Sequence, residues 1–239
     1  YKDVEDGTPA NIHDVKFLKD HMKQIQLIPC GYHRYYYMHD EMLKHGLEEF
    51  NTVGTRAQQV KVTEAELFEL YKDPNLNYKP EQLTKRGGTH YSDAACECIN
   101  SIYNDKRTHM VVSTQNNGAI ADLPYDCIVE ISSIITGKGA MPLTWGHFAP
   151  SERGWVQLMK AMEECTIEAA ITGNYGMALA AFEMNPQVEH GHVAQTVLNE
   201  LLVAHEKYLP QFADKIAELK AKGVGSKDPV VMDLMVNGH

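Results

Sequence analysis

The 239-residue chain reads as an α+β protein with helices around a small, mostly antiparallel sheet. Apolar residues recur at helical spacing through its first part, and two short β-branched runs, "HMVVST" and "DCIVEISSII", then shift the period to that of strands. Helical spacing returns from Ser151 onward. Helices, then a sheet, then helices is not the alternation that builds a parallel sheet, so one α+β unit over residues 1–222 is expected, with a loosely held tail over 223–239.

Each element has its own signal. Val15, Leu18, Met22, Ile25 and Leu27 follow the cap candidates Asn11 and Asp14 and predict a helix over about 12–27, ended by Ile28-Pro29-Cys30-Gly31. The spacing resumes through Tyr36, Met38, Met42 and Leu43, stops near Gly46, and returns from Ala57 to Tyr71 on Val60, Ala65, Leu67 and Leu70. At "SDAACECINSIYN" the serine Ser92 offers an N-cap, the first turn is acidic, and Ala95, Ile99 and Ile102 make an apolar face. Strands at 109–114 and 126–135 precede the turn "GKG" and the run "MPLTW", giving two or three strands. From Ser151 to Leu209 the helical pattern breaks at Gly173, Gly176 and "NPQVEHGH", with Leu198, Leu201, Leu202 and His205 on one face, and "FADKIAELKAK" forms a last amphipathic helix.

Composition excludes several classes of function. Twenty-two basic against thirty-two acidic side chains leave a net charge of −10, which repels a phosphodiester backbone and argues against nucleic acid as a partner. A small anion can still bind where an arginine is placed locally. The five cysteines, Cys30, Cys96, Cys98, Cys127 and Cys165, are odd in number and scattered, which suits reduced thiols better than a disulfide framework. Apolar-rich runs such as "MALAAF" fall far short of the roughly 20 residues of a membrane span, so a cytoplasmic protein is expected. No G-x-G-x-x-G stands between a strand and a helix, so these residues carry no dinucleotide fingerprint. The chain starts at Tyr1 in a charged, loop-like stretch, and a piece of a longer polypeptide is expected.

Chemistry concentrates in few places. "GYHRYYYMHD" packs four tyrosines and two histidines into ten residues. Such a cluster is ordinarily a packed aromatic face. Tyr32, however, follows Gly31 at the head of the predicted helix, where the positive end of the dipole favours a phenolate, whereas Tyr35, Tyr36 and Tyr37 lie inside it. Arg56, in "VGTRAQQV", is either a surface ion-pair partner or a bidentate anchor for a phosphate or carboxylate beside the N–H groups of a helix start. In "STQNNGAIADLP" a turn after a strand accounts for Asn116, Asn117 and Gly118 without a ligand, although such loops also carry sites. "RGGTHYSD" has the glycines of a tight approach to a helix, with His90 at its edge. "HGH" at 190–192 is a weak metal signal, because no cysteine stands near it at zinc spacing.

Taken together, "IPCGYHRYYYMHDEML", "TRA", "KRGGTHYSDAACECINSIYND", "STQNNGAIADLPYDCIVEI" and "NPQVEHGHVAQTVLNELLVAHEKYLPQF" resemble the C-terminal portion of glycoside hydrolase family 4, nearest its 6-phospho-β-glucosidase branch. The likeness runs from about Thr8 to Phe212, and five motifs in joint order are more specific than any one. It implies a build like that of lactate and malate dehydrogenases, with an N-terminal Rossmann domain for NAD, absent from this chain, and a C-terminal α+β domain that closes over the sugar. The family's metal-binding Cys and His would lie upstream, so Cys30 and His33 are not those ligands, and neither NAD nor a divalent metal, Mn²⁺ by expectation, should bind this chain tightly. The implied chemistry is the NAD-dependent exception to two-carboxylate glycoside hydrolysis: oxidation at C3, removal of the acidified C2 proton by a tyrosine, elimination from C1, and water addition.

By position in the motif Tyr32 would be that base, and Arg56, in the "TRA" position, would bind the sugar phosphate. His33 stands where the family often has leucine, and with Asn116 and Asn117 it is a candidate for the substrate pocket. The resemblance also implies a homodimer or homotetramer, for which Met-containing helices such as "MKAMEECTIEAAI" could supply an interface. Two other readings compete: a family 4 enzyme for 6-phospho-α-glucosides or unphosphorylated glycosides, and an assembly module without catalysis, in which the tyrosines are core.

Overall fold

A computed structural model describes residues 16–27, 31–85, 91–188 and 191–225. It has the expected α+β build, helix-rich with one three-stranded antiparallel sheet, and divides into two compact units between Trp145 and Gly146.

In the first unit α1 (Lys16–Ile25) comes first, and a 3-10 turn at Gly31–His33 runs directly into the one-turn helix α2 (Arg34–Tyr37). Met38, at φ −128° and ψ 43°, interrupts the helical path before α3 (His39–Thr52). The helix does not stop at Gly46. Nothing lies within 4 Å of a Cβ placed there, and a lone glycine costs a helix only about 1 kcal/mol relative to alanine. The chain instead turns at Gly54, whose φ of +83° suits glycine, and restarts at α4 (Arg56–Leu70). α5 (Tyr91–Asn104) begins one residue before Ser92, so its N-cap position falls on residue 90, outside the described residues.

The strands are β1 (Thr108–Gln115), β2 (Ile128–Thr136) and β3 (Gly139–Pro142), in the order β1-β2-β3. Val112 pairs with Ile131 and Ile134 with Met141. Along β2, Val129, Ile131, Ser133 and Ile135 alternate inward and are buried, and Ala119 and Ile120 from the loop after β1 are buried as well. α5 meets this sheet through a polar residue. Fully buried Ser101 donates its hydroxyl to Ile135 O at 2.8 Å and accepts from Thr108 N at 3.1 Å. The apolar face read from the sequence is turned outward instead, with Ile99 66% and Ile102 42% exposed. Helical spacing locates a stripe, and the bond that Ser101 makes decides which side of the helix meets the strands.

The second unit is helical: α6 (Pro150–Thr172), α7 (Tyr175–Met184), α8 (His192–Ala204) and α9 (Ala213–Ala221). Gly173 ends α6 with φ +72°, whereas Gly176 is the second residue of α7 and interrupts nothing. Asn174 caps α7, accepting from Met177 N. The core gathers Ala169, Ala178, Leu198, Leu202, Phe212 and Ile216 from all four helices and the turn before α9, while Leu201 of the expected apolar face stays 39% exposed. Among the described residues no helix is long and apolar enough to cross a membrane.

Candidate functional site

The aromatic motif folds so that its tyrosines separate. Tyr32 lies in the 3-10 turn and is 71% exposed, the most open of the four, while Tyr36 and Tyr37 are half-buried. Arg34 fixes the turn from within by donating from Nε to Gly31 O at 2.8 Å. The His33 ring is drawn inward, 5.8 Å between centroids from Tyr37 in an edge-on contact and 6.0 Å from Tyr36, and the His21 ring of α1 meets Tyr37 at 4.6 Å, tilted by 44°. His33 Nδ1 is buried without a hydrogen-bond partner. Burial, and then the nearby His21, hold the His33 pKa below the ordinary 6.5, so the ring favours its neutral form. The helix that follows Tyr32 is one turn long, and the longer dipole expected from the sequence is cut at Met38.

Arg56 is the first residue of α4 and is exposed. Its position is set by a capping box: Thr55 Oγ1 accepts from Gln58 N at 3.3 Å, and Gln58 Oε1 accepts from Thr55 N at 2.7 Å. The guanidinium therefore rises from the start of a fifteen-residue helix, where the dipole and the first N–H groups also favour an anion.

The loop after β1 gives its two asparagines opposite surroundings. Asn116 is fully buried: its amide donates to Ile120 O at 3.0 Å, Leu123 O at 3.2 Å and Pro124 O at 2.9 Å, and its carbonyl accepts from Ile120 N at 2.8 Å. The side chain is thus taken up in bracing the loop. Asn117 is exposed with φ 49° and supplies the left-handed step of the turn. Tyr32 and His33 share one turn, Arg56 belongs to another helix, and the asparagines belong to the sheet end, all within the first unit. Sequence reasoning did not single out Ser101 or His21. Their roles depend on partners 34 and 16 residues away, Ile135 and Tyr37, which no local pattern signals.

Among the described residues no group of three or more His, Cys, Asp or Glu converges on a position for a metal ion. These residues do not by themselves fit a metal centre, and the chain has no strand-to-helix glycine fingerprint for a dinucleotide. Cys30, His90 and His190 lie outside the described residues.

Residues 1–188 match the model of the family 4 glycosyl hydrolase C-terminal domain. A probable 6-phospho-beta-glucosidase of Bacillus subtilis is 52% identical over 209 residues, which cover 87% of this chain and 47% of that protein. The solved 6-phospho-beta-glucosidase of Thermotoga maritima, with manganese, NAD⁺ and glucose-6-phosphate, superposes with a TM-score of 0.75 at 31% identity, covering 87% of this chain and 48% of its own. A 6-phospho-alpha-glucosidase from gut microorganisms, in complex with NAD and glucose-6-phosphate, superposes with a TM-score of 0.71 at 26% identity over 85% of this chain and 46% of its own. The chain thus spans about half the length of these proteins, and by the matched residues and the shared fold it belongs to the family 4 glycosyl hydrolases, as a C-terminal domain.

Proposed function

We propose that this chain is the substrate-binding half of a cytoplasmic, homo-oligomeric 6-phospho-β-glucosidase that cleaves phosphorylated β-glucosides by elimination and water addition. The β branch is favoured over the α branch because identity is 52% to a probable 6-phospho-beta-glucosidase and 26% to the 6-phospho-alpha-glucosidase structure. NAD and a divalent metal, present in the related solved structures, would supply oxidation at C3 and are assigned to residues other than those described in this chain.

Two side chains carry this chain's part. Tyr32 is the base that takes the proton from C2 of the sugar, and the observation that supports it most is its exposure at 71%, against 40% for Tyr35 and the half-buried Tyr36 and Tyr37. A phenol buried among leucine and methionine side chains would have favoured the assembly reading. Arg56 binds the 6-phosphate through its fork of N–H donors, with the capped start of α4 holding it in place. Asn116 supports the pocket through the loop it braces, and His33 and Asn117 are assigned to the pocket's edge.

The reading is tested on the complete enzyme, with 6-phospho-β-glucosides, 6-phospho-α-glucosides and unphosphorylated β-glucosides as competing substrates. Preference for the first is expected. Arg56→Lys keeps the charge but loses the fork, so KM for the phosphorylated sugar should rise while weak turnover of the unphosphorylated one stays put. Equal damage to both substrates would remove Arg56 from the phosphate site, and preference for the α-anomer would move the enzyme to the other branch.

A further inference from the structure

The sheet ends on β1, and among the described residues no strand pairs with its outer edge. In the β1–β2 ladder Asn116 N bonds Cys127 O at 2.8 Å, and with the register this gives Thr108, Met110, Val112 and Thr114 the backbone groups that face β2. The N–H and C=O groups of His109, Val111, Ser113 and Gln115 therefore point away from the sheet, and no described strand lies beside them. All four residues are exposed, Val111 at 59%. The strand, "THMVVSTQ", has none of the usual protection of a solvent edge: no lysine, no proline, no glycine and no carboxylate.

The edge also suits a copy of itself. A chain of net charge −10 repels its own kind over most of its surface, but β1 is a strip without acidic or basic side chains other than His109. Two β1 strands laid antiparallel about a twofold axis at Val112 would set His109 against Gln115 and Val111 against Ser113, with every outward N–H facing an outward C=O. Apolar area stands close to this seam: Val111, Ile128, Met141 and Leu143 are exposed on the outer face of the same sheet.

We propose that the open edge of β1 is a self-association surface, where a second copy of this chain joins β1 to β1 and turns two three-stranded sheets into one of six strands. The assignment does not depend on the sugar chemistry and names a surface other than the helices of the second unit.

Sedimentation of the 239-residue chain over a micromolar concentration series tests it, with three variants. Val111→Pro deletes one outward N–H per copy at an edge position that tolerates proline, and it should raise the dimer dissociation constant about tenfold or more. Val111→Lys keeps that N–H but brings two ammonium groups to the seam, and it should weaken the dimer similarly. Val112→Cys places two thiols across the axis, and mild oxidation should give a covalent dimer that the unmodified chain does not form and that Val111→Pro suppresses when added to it. Circular dichroism confirms that each variant is folded. A chain that stays monomeric overturns the proposal and leaves the edge to a different strand. A dimer that both Val111 variants leave intact, with no cross-link at Val112→Cys, overturns it as well and moves the interface elsewhere.

Discussion

Two neighbouring residues, Tyr32 and His33, are adjacent in sequence and opposite in surroundings. Tyr32 stands in solvent, while His33 is wedged against Tyr36 and Tyr37 with Nδ1 buried and unpartnered. Burial and His21 lower the His33 pKa in the folded chain, so the unfolded chain takes up the proton first as pH falls. The stability that neutral His33 contributes is present above about 6.5, the unfolded value, and is lost as pH falls from there through the folded value. The melting temperature of the chain should therefore fall between pH 7 and pH 5, and His33→Leu should flatten that slope; an unchanged slope in the variant would mean that His33 does not titrate in this way. The sequence marked Asn117 as a turn residue, and its φ of 49° agrees. It did not mark the four hydrogen bonds that hold Asn116, because the carbonyls that meet its amide are assembled only when the loop closes on itself.

Helices and strands were legible wherever a periodic stripe ran long enough, and the register of the sheet follows from strands that lie where their β-branched runs are. Boundaries at single glycines were less legible. Gly46 and Gly176 sit inside helices, and Gly173 ends one, because only the last must adopt a positive φ in a crowded place. A Cβ on Gly173 would stand 2.0 Å from Gln211 O and 2.8 Å from Gln211 C, both of them backbone atoms that cannot swing aside. Gly173→Ala should accordingly destabilise the second unit by about 2–4 kcal/mol, the sum of a left-handed alanine and an overpacked contact. Urea unfolding followed by the signal of Trp155 measures it, and a loss under about 0.5 kcal/mol would show that the contact relaxes freely. Gly154→Ala, inside α6 with nothing within 4 Å of the added Cβ, serves as the comparison without a clash. The outward turn of Ile99 and Ile102 was not legible, since amphipathicity reports that a helix has two faces and says nothing about which partner is present to cover the apolar one.

For the molecule as a whole, the proposed function divides the labour between the two compact units. Every side chain assigned to the sugar stands in the first, on a 3-10 turn, a capped helix start and a loop at the sheet end, whereas the second is a helical core built on Leu198, Leu202 and Ile216. That arrangement is what a domain needs if it presents polar groups to a substrate while the redox chemistry is held by another part of the enzyme. Tyr32 is proposed to move a proton, and that step is read by exchange of the C2 hydrogen of a 6-phospho-β-glucoside with solvent deuterium, catalysed by the complete enzyme and by its Tyr32→Phe variant. In Tyr32→Phe exchange and turnover should fall together by about 10²-fold or more with NAD binding kept, the scale of a lost general base; exchange at a near-normal rate in that variant would remove Tyr32 from proton transfer.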